Sequence, residues 1–536
     1  MRRSLPLCLP LLPRRPRPQW SAPTISPELH LPQPNEFIAT DFLLLPKVAG
    51  EDEMTPPALI EDSAVSKIWY KQDSTFGQPR LSVVSKIVSP IAYTSPRAAV
   101  LTELFRLLVK DELNEFAYFA TLAGVNYQLQ ESWCGMVLQL SGYSEKIPVL
   151  ARKVAEKMRD FDPRADPARF DAVQEKLVRK YTNFSKEAPY THVMTDLAVA
   201  TRSPRWAVSE RLHTLRDEAV TPAELAAFVP RLLKRFKVET LVIGNVTADG
   251  ARTLVGEVVT TLAPRALLPS EIPSPRHVEL PAARSFQYTG VEENEEQPCG
   301  AICVYLQCGF SSGLAAGLET RVRLSLAARI IREPAFDSLR TKQQLGYIVW
   351  TGQMNDAGVF GLQCIVQSDK FSTATLDARI EGFFSTTMPA KLDALSAEDF
   401  AEHKAAACKD LREKPKTLSE EAGRVWSEIT SQRYFWNYRE VYATAIEATT
   451  FDDVRAFYGE FIAPGGAGRR KLSMRVEGHK AGKPAAEGAA AEGAVAEDGG
   501  DAPAELVVAC EAIAELSAFR RSMKLHICES AMTHTV

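Results

Sequence analysis

Long apolar runs are missing from this 536-residue sequence, and none reaches the roughly 20 residues that a bilayer span requires. An excess of either charge is missing as well: 63 Lys and Arg stand against 67 Asp and Glu, a net charge of −4. That balance offers no basic stripe to a nucleic acid. Cysteine is sparse and unpatterned. Nine are scattered along the chain, and an odd number at irregular spacing reads as reduced thiols rather than a disulfide framework. Cys299, Cys303 and Cys308 are the only cluster. Two of them lie five positions apart in the strand-like AICVYLQC and face opposite ways, which is wrong for converging on zinc.

Catalytic signatures are equally scarce. A zinc helix of the H-x-x-E-H or H-E-x-x-H kind puts two histidines on one face, with a glutamate as general base for water. Neither string begins at His30, His192, His213, His277, His403, His479, His526 or His534. The nearest approach, DFAEH from Asp399 to His403, opens with aspartate and reads as a solvated helix face. There is no G-x-x-x-x-G-K-[ST] phosphate loop, and no cysteine stands in a motif that would supply a base. The expectation is a chain without a zinc-and-base set, holding no metal or cofactor of its own.

The ends carry little structure-forming signal. Residues 1–36 are rich in Arg and Pro and read as a disordered leader. So many prolines oppose the amphipathic helix of a transit peptide, and Pro6 and Pro10 interrupt a signal-peptide core. Residues 479–505 are low-complexity Ala/Gly/Glu with almost nothing to bury, and 506–536 are expected to hold a C-terminal helix and tail. Reduced cysteines favour the cytoplasm, with a mitochondrial address as the alternative if the leader is a working signal.

What the sequence does have is a duplication. LLVKDELNEFAYFATLAGVNYQLQ, ending at Gln130, and IIREPAFDSLRTKQQLGYIVWTG, ending at Gly352, each read as helix, glycine stop and strand, with Gly124 and Gly346 222 positions apart. Four more pairs follow in the same order: Gly135–Lys146 with Val359–Lys370, Phe170 with Phe400, Thr221–Phe228 with Thr450–Phe457, and Gly244 with Gly478. Ordered matches at slowly drifting offsets indicate two copies of a domain of roughly two hundred residues. Alternation in RLSVVSKIV and AICVYLQC predicts strands, and helix starts are predicted at Thr221, Ser396 and Thr450. The predicted class is α+β. One sheet-plus-helices copy covers 37–264, a Pro-rich linker 265–284, and a second copy 285–478, each sheet carrying its helices on one side.

LHLPQPNEFIATDFLLLP, PALIEDSAVSKIWYKQDSTF, LNEFAYFATLAGVNYQLQ and EPAFDSLRTKQQLGYIV resemble the C-terminal half of the insulin-degrading type of the insulinase/pitrilysin zinc metallopeptidases, in register from about His30 to about Gly478. The resemblance implies the third and fourth of four homologous domains, which form two bowl-like halves around a peptide chamber. It implies metalloendopeptidase activity with zinc bound in the first domain, so zinc is expected only in a missing N-terminal half. A substrate strand added to an exposed sheet edge belongs largely to that half too.

The resemblance also assigns EPAFDSLRTKQQLGYIV. It implies that Arg340 and Tyr347 hold the substrate backbone and help stabilise the oxyanion, and that Phe336 makes an apolar contact with the residue after the cleaved bond. A guanidinium fork and a phenol are donors suited to a carbonyl that becomes negative. The competing reading has Arg340 satisfying helix-end carbonyls, Tyr347 packing as a strand residue and Phe336 packing against Leu339. In the first copy Tyr118, Val125 and Asn114 stand opposite Arg340, Tyr347 and Phe336, so the fold alone does not require the trio. Lys342 and Glu333 read as a solvated face and a helix-start charge. Trp69, Tyr70, Trp133 and Trp426 read as core.

Two functional expectations follow. One is the chamber half of a peptidase, active on peptides only when joined to a zinc-bearing half. The other is a non-catalytic peptide-binding or regulatory homologue that docks on a full-length peptidase. A processing-peptidase-like subunit of a membrane complex would share the duplicated architecture.

Overall fold

The computed structural model describes residues 34–52, 54–311, 317–479 and 504–527. The leader up to residue 33, the Ala/Gly/Glu tract over 480–503 and the tail from 528 lie outside the described residues, as do His30 and His534. Among the described residues no helix is long and apolar enough to cross a membrane.

The chain is α+β. Its first strands in order are β1 (Ala58–Asp62), β2 (Ser66–Gln72), β3 (Arg80–Val88), β4 (Asn126–Ser132), β5 (Gly135–Tyr143), β6 (Arg202–Ser203), β7 (Lys237–Gly244) and β8 (Arg276–Glu279). Then come β9 (Arg284–Val291), β10 (Gly300–Phe310), β11 (Ile348–Asp356), β12 (Val359–Ser368), β13 (Arg470–Glu477), β14 (Glu511–Ala512) and β15 (Lys524–Ile527). One six-stranded sheet runs β1-β2-β7-β3-β5-β4 and the other β11-β12-β10-β13-β9-β14. Read from opposite ends, the five strands β4, β5, β3, β7, β2 match β11, β12, β10, β13, β9. In both sheets only the β2/β7 or β9/β13 pair of these five is parallel. The edges differ, because β1 runs antiparallel to β2 whereas β14, from near the C-terminus, runs parallel to β9.

Local chemistry sets the helix starts. Ser396 and Thr450 cap their helices reciprocally with Asp399 and Asp453. Thr221 accepts from the Glu224 amide at 3.2 Å, but the Glu224 carboxylate turns to Arg97 Nε at 2.6 Å instead of reaching back to the cap. The proline-rich stretch 265–284 is more than a strap: it contains β8, which lies between β15 and β6 in a third, three-stranded sheet.

Each sheet is covered on both faces, and this differs from the one-sided layers expected from sequence. On the first sheet, Ile68, Val238 and Val242 face the helices of their own copy, while Trp69, Leu241 and Ile243 face the other way. The second face is covered by the Leu418–Thr430 helix of the second copy through Leu418, Ala422 and Ile429. On the second sheet, Ile302, Val304 and Leu306 face their own helices. Ala301, Cys303 and Tyr305 are covered by the Pro189–Thr201 helix of the first copy through Val193, Leu197 and Ala200. The two copies have exchanged equivalent helices. Strands buried on both faces read as continuous apolar runs, which is why β10 is buried from Gly300 through Cys308.

Polar contacts fasten the same seam. Lys71 and Glu421, both buried, form an ion pair across it. Trp69 Nε1 and the Tyr434 hydroxyl donate to one Glu239 oxygen at 3.0 and 2.9 Å. Arg520 Nη1, from the Leu516–Ser522 helix, donates to the Val199, Arg202 and Arg205 carbonyls at 2.8, 3.1 and 2.6 Å, closing off the end of the exchanged helix. Trp69 and Trp426 therefore belong to the seam rather than to either copy's own core, and Tyr70 packs at the margin of the first core. Trp133 is only half-buried, with Lys86 Nζ over its ring, 5.3 Å from the centroid.

Asp196, on the exchanged Pro189–Thr201 helix, is pushed up to about 6 by burial, against an opposing pull from His192. A carboxyl raised in the folded state binds a proton that the unfolded chain has already lost. Its presence therefore costs stability as pH rises from about 4 through 6, and the cost is complete at neutral pH. Asp196→Asn is expected to raise the urea midpoint above that of the parent at pH 7, with the difference vanishing near pH 4. Urea titrations at the two pH values check this.

Candidate functional site

The helix that begins at Leu318 changes pitch near its end. Pro334 has no N–H to donate within the Leu318–Ala335 helix, and the following residues, Phe336–Lys342, wind as a wider π-type turn. The Gln343 amide closes this turn on the Ser338 carbonyl at 3.0 Å, and the Leu345 amide reaches the Leu339 carbonyl at 3.0 Å. Ala335, Leu339 and Leu345 are fully buried and pin the inner face. Phe336 and Arg340 are thereby left on the outer face.

The exit from the turn differs from the glycine stop expected at Gly346. The left-handed residue is Gln344, at φ 50°. Gly346 is needed for another reason: a Cβ there would lie 1.8 Å from the Gln367 carbonyl oxygen of β12. In the first copy Gly124 does take the left-handed conformation, at φ 74°. The tight crossing at Gly346 delivers Tyr347 one residue ahead of β11, which is an edge strand with its outer main-chain groups unpaired by the sheet.

The structure brings the three expected site residues together. Arg340 lies between two rings, its Cζ 4.7 Å from the Phe336 centroid and 4.9 Å from the Tyr347 centroid. Tyr347 is 84% exposed and Phe336 43% exposed. Among the described residues Arg340 makes no ion pair and no hydrogen bond to a helix-end carbonyl, and Tyr347 does not pack as an ordinary strand residue. Lys342 is held away from this stack by Asp337 at 2.7 Å, and Glu333 is exposed. The arrangement presents a guanidinium fork and a phenol, preoriented by cation–π contact, beside an unpaired strand edge. Such groups can donate to carbonyl or oxyanion oxygens. Trp350, 46% exposed on β11, extends the aromatic surface and was not singled out from sequence, where it reads as one more strand residue.

The equivalent corner of the first copy is built differently. Val125, opposite Tyr347, is fully buried, and Tyr118, opposite Arg340, is 62% exposed with its ring against Phe119.

No group of three or more His, Cys, Asp or Glu suited to a metal ion occurs among the described residues. The Asp399 carboxylate is spent on capping Ser396, accepting from its hydroxyl at 2.7 Å, so DFAEH is the start of a helix. Cys303 and Cys308 fall in cores on opposite faces of the second sheet. The string G-F-S-S-G at Gly309–Gly313 has the letters of a serine nucleophile turn. His526 Nε2 lies 3.2 Å from the Ser311 main-chain carbonyl.

A family model described as the middle or third domain of peptidase M16 matches residues 12–214. Another, described as the PQQ synthase PqqF-like C-terminal lobe domain 4, matches residues 326–426. Human insulin-degrading enzyme is 37% identical over 463 residues, 85% of this chain and 44% of that protein. The chain belongs to the insulinase/pitrilysin peptidase family. It is homologous to the C-terminal half of insulin-degrading enzymes and spans about half the length of the curated relatives it matches. Insulin-degrading enzyme-like 1, peroxisomal, of Arabidopsis thaliana is 32% identical over 86% of this chain and 47% of its own length. The crystal structure of pitrilysin shares the fold of this insulinase/pitrilysin chain, at a TM-score of 0.78 over 93% of this chain and 49% of that one, with 20% identity. A peptidase M16 inactive domain from Pseudomonas fluorescens aligns at a TM-score of 0.58 over 80% of this chain and 100% of its own, with 13% identity.

Because the stack is exposed and carries no buried ion pair, its removal from this insulinase/pitrilysin chain should barely disturb folding. Arg340→Ala and Tyr347→Phe are each expected to change stability by less than about 1 kcal/mol. Thermal melts of the two variants beside the parent provide the check.

Proposed function

We propose that this chain is the substrate-gripping half of an insulin-degrading-type zinc metalloendopeptidase. Arg340 and Tyr347 donate to a main-chain carbonyl of a bound peptide and to the oxyanion that forms there. Phe336 both steadies Arg340 and offers an apolar surface to a substrate side chain. The residues present do not fit a zinc site, so water activation belongs to a zinc-bearing N-terminal half, and no step of it is assigned to this chain. The single observation that carries the reading is an arginine preoriented between two exposed rings with no partner of its own among the described residues. A buried guanidinium would serve the fold, whereas a presented one serves a ligand.

A second reading, a non-catalytic homologue that docks on a full-length peptidase, is favoured by a different observation. Ile38, Phe42, Leu43, Leu44 and Val48 form an exposed apolar strip before β1, with Leu43 81% exposed. Scattered exposed apolar residues are ordinary, but a run of them marks an interaction surface.

Complementation separates the two. The purified chain is mixed with the separately expressed zinc-bearing N-terminal half of a relative and assayed on a fluorogenic peptide. The first reading predicts restored hydrolysis, with Arg340→Ala and Tyr347→Phe each lowering kcat by about 10²–10³-fold. Unchanged rates in both variants would refute the assigned roles. Peptide binding without any restored cleavage would favour the docking homologue.

A further inference from the structure

The small third sheet ties three parts of the chain together at the seam. β6 follows the exchanged helix of the first copy, β8 lies between the copies, and β15 comes from the C-terminal segment. One rung of this sheet is chemically unusual. His277 on β8 stands opposite His526 on β15 and opposite Arg202 on β6. Two imidazoles and a guanidinium therefore lie side by side across the strands, where like charges directly opposite one another destabilise pairing.

His277 is fully buried. Its Nδ1 lies 3.0 Å from the Val278 carbonyl oxygen, and its Nε2 has no hydrogen-bond partner among the described residues. The Asp356 carboxylate, at the end of β11, stops 4.0 Å short of that Nε2 and pairs with Arg202 Nε at 2.6 Å. On β8 itself Arg276 is exposed, and Glu279 serves the β15 side, with Lys524 Nζ at 2.7 Å and His526 Nδ1 at 3.3 Å. β10 contributes the buried Tyr305 ring, its centroid 6.4 Å from that of His277. The titratable residues of the exchanged helix, His192 and Asp196, face Glu292 and each other. Burial holds the His277 imidazole below the usual histidine range, and Arg202 and His526 add to this against the pull of Asp356 and the Val278 carbonyl. The rung accepts a neutral His277 and has no uncommitted carboxylate for a charged one.

We propose that the His526–His277–Arg202 rung is an acid-sensitive latch, in which protonation of His277 unpairs β15 from β8 and loosens the seam. Imidazole is the side chain whose charge ordinarily changes between about pH 5 and 8. A histidine held below its ordinary 6.5 binds fewer protons in the closed sheet than in the open one. Its contribution to closure is complete above that value and is lost as pH falls below it. β15 follows the Leu516–Ser522 helix directly, so its release also loosens the Arg520 side chain that closes off the end of the exchanged helix. The latch is independent of the peptidase reading, because none of these residues belongs to the Phe336–Tyr347 corner.

Hydrogen–deuterium exchange of the full chain, corrected for the intrinsic pH dependence of amide exchange, is the test. Protection of the β8 and β15 amides is expected to fall about tenfold between pH of about 7.5 and about 5.5, the latter one unit below the ordinary histidine value, while β10 stays protected. His277→Phe keeps a ring that cannot be charged and should abolish the fall. Arg202→Gln removes one cation from the rung and frees Asp356 for His277, so it should reduce the fall. Arg202 is partly exposed, so its variant remains informative if His277→Phe does not fold. His213→Gln, at an exposed imidazole elsewhere, should behave as the parent. Unchanged protection of β8 and β15 in the parent, or a fall of the parent's size in His277→Phe or in Arg202→Gln, overturns the inference.

Discussion

The exchange of one helix between the two copies is the constraint on which the rest of the molecule depends. Each sheet has a second apolar face that its own copy cannot cover. Leaving Leu241 and Ile243, or Cys303 and Tyr305, to water would forfeit roughly 1.5–3 kcal/mol for each large side chain. The Pro189–Thr201 and Leu418–Thr430 helices cross over to close those faces, and the Lys71–Glu421 pair and the Arg520 clamp fix where they sit. A duplicated domain has thereby become one body in which neither copy has a complete core alone.

That rigidity carries through to the Phe336–Tyr347 corner. β11, the strand behind Tyr347, is an edge strand, but it pairs along its length with β12, and β12 with β10, which is buried on both faces by the exchanged packing. The Phe336–Lys342 turn is pinned from inside by Leu339. The proposed role of Arg340 and Tyr347, donation to a carbonyl in a fixed geometry, needs such a mount. Only the second copy uses it: the first places Val125 in the core where the second presents Tyr347, so identical architecture has been kept while the surface chemistry diverged.

Much of this was legible in the sequence because duplication is a one-dimensional signal. Strands β4, β5, β7, β11, β12 and β13 carry the paired motifs, β3 and β10 show their alternation, and the capping residues Ser396 and Thr450 declare their helices locally. The corner trio was legible through resemblance and through its absence from the first copy. The exchange of helices was not, because the pattern of a helix shows that it has an apolar face but not which sheet that face meets. For the same reason Trp69 and Trp426 could be called buried without being placed at the seam. The π-type turn left no trace beyond Pro334, and Gly346 looked like a helix stop because its true constraint, the Gln367 carbonyl, comes from another strand.

The central claim is that the exchanged helices make the two copies a single cooperative unit. Equilibrium urea unfolding, followed at once by tryptophan fluorescence, which senses Trp69, Trp426 and Trp436 at the seam, and by far-ultraviolet circular dichroism, tests it most directly. The account predicts one transition with coincident curves. Two separated transitions, with the fluorescence change complete while most secondary structure persists, would contradict it.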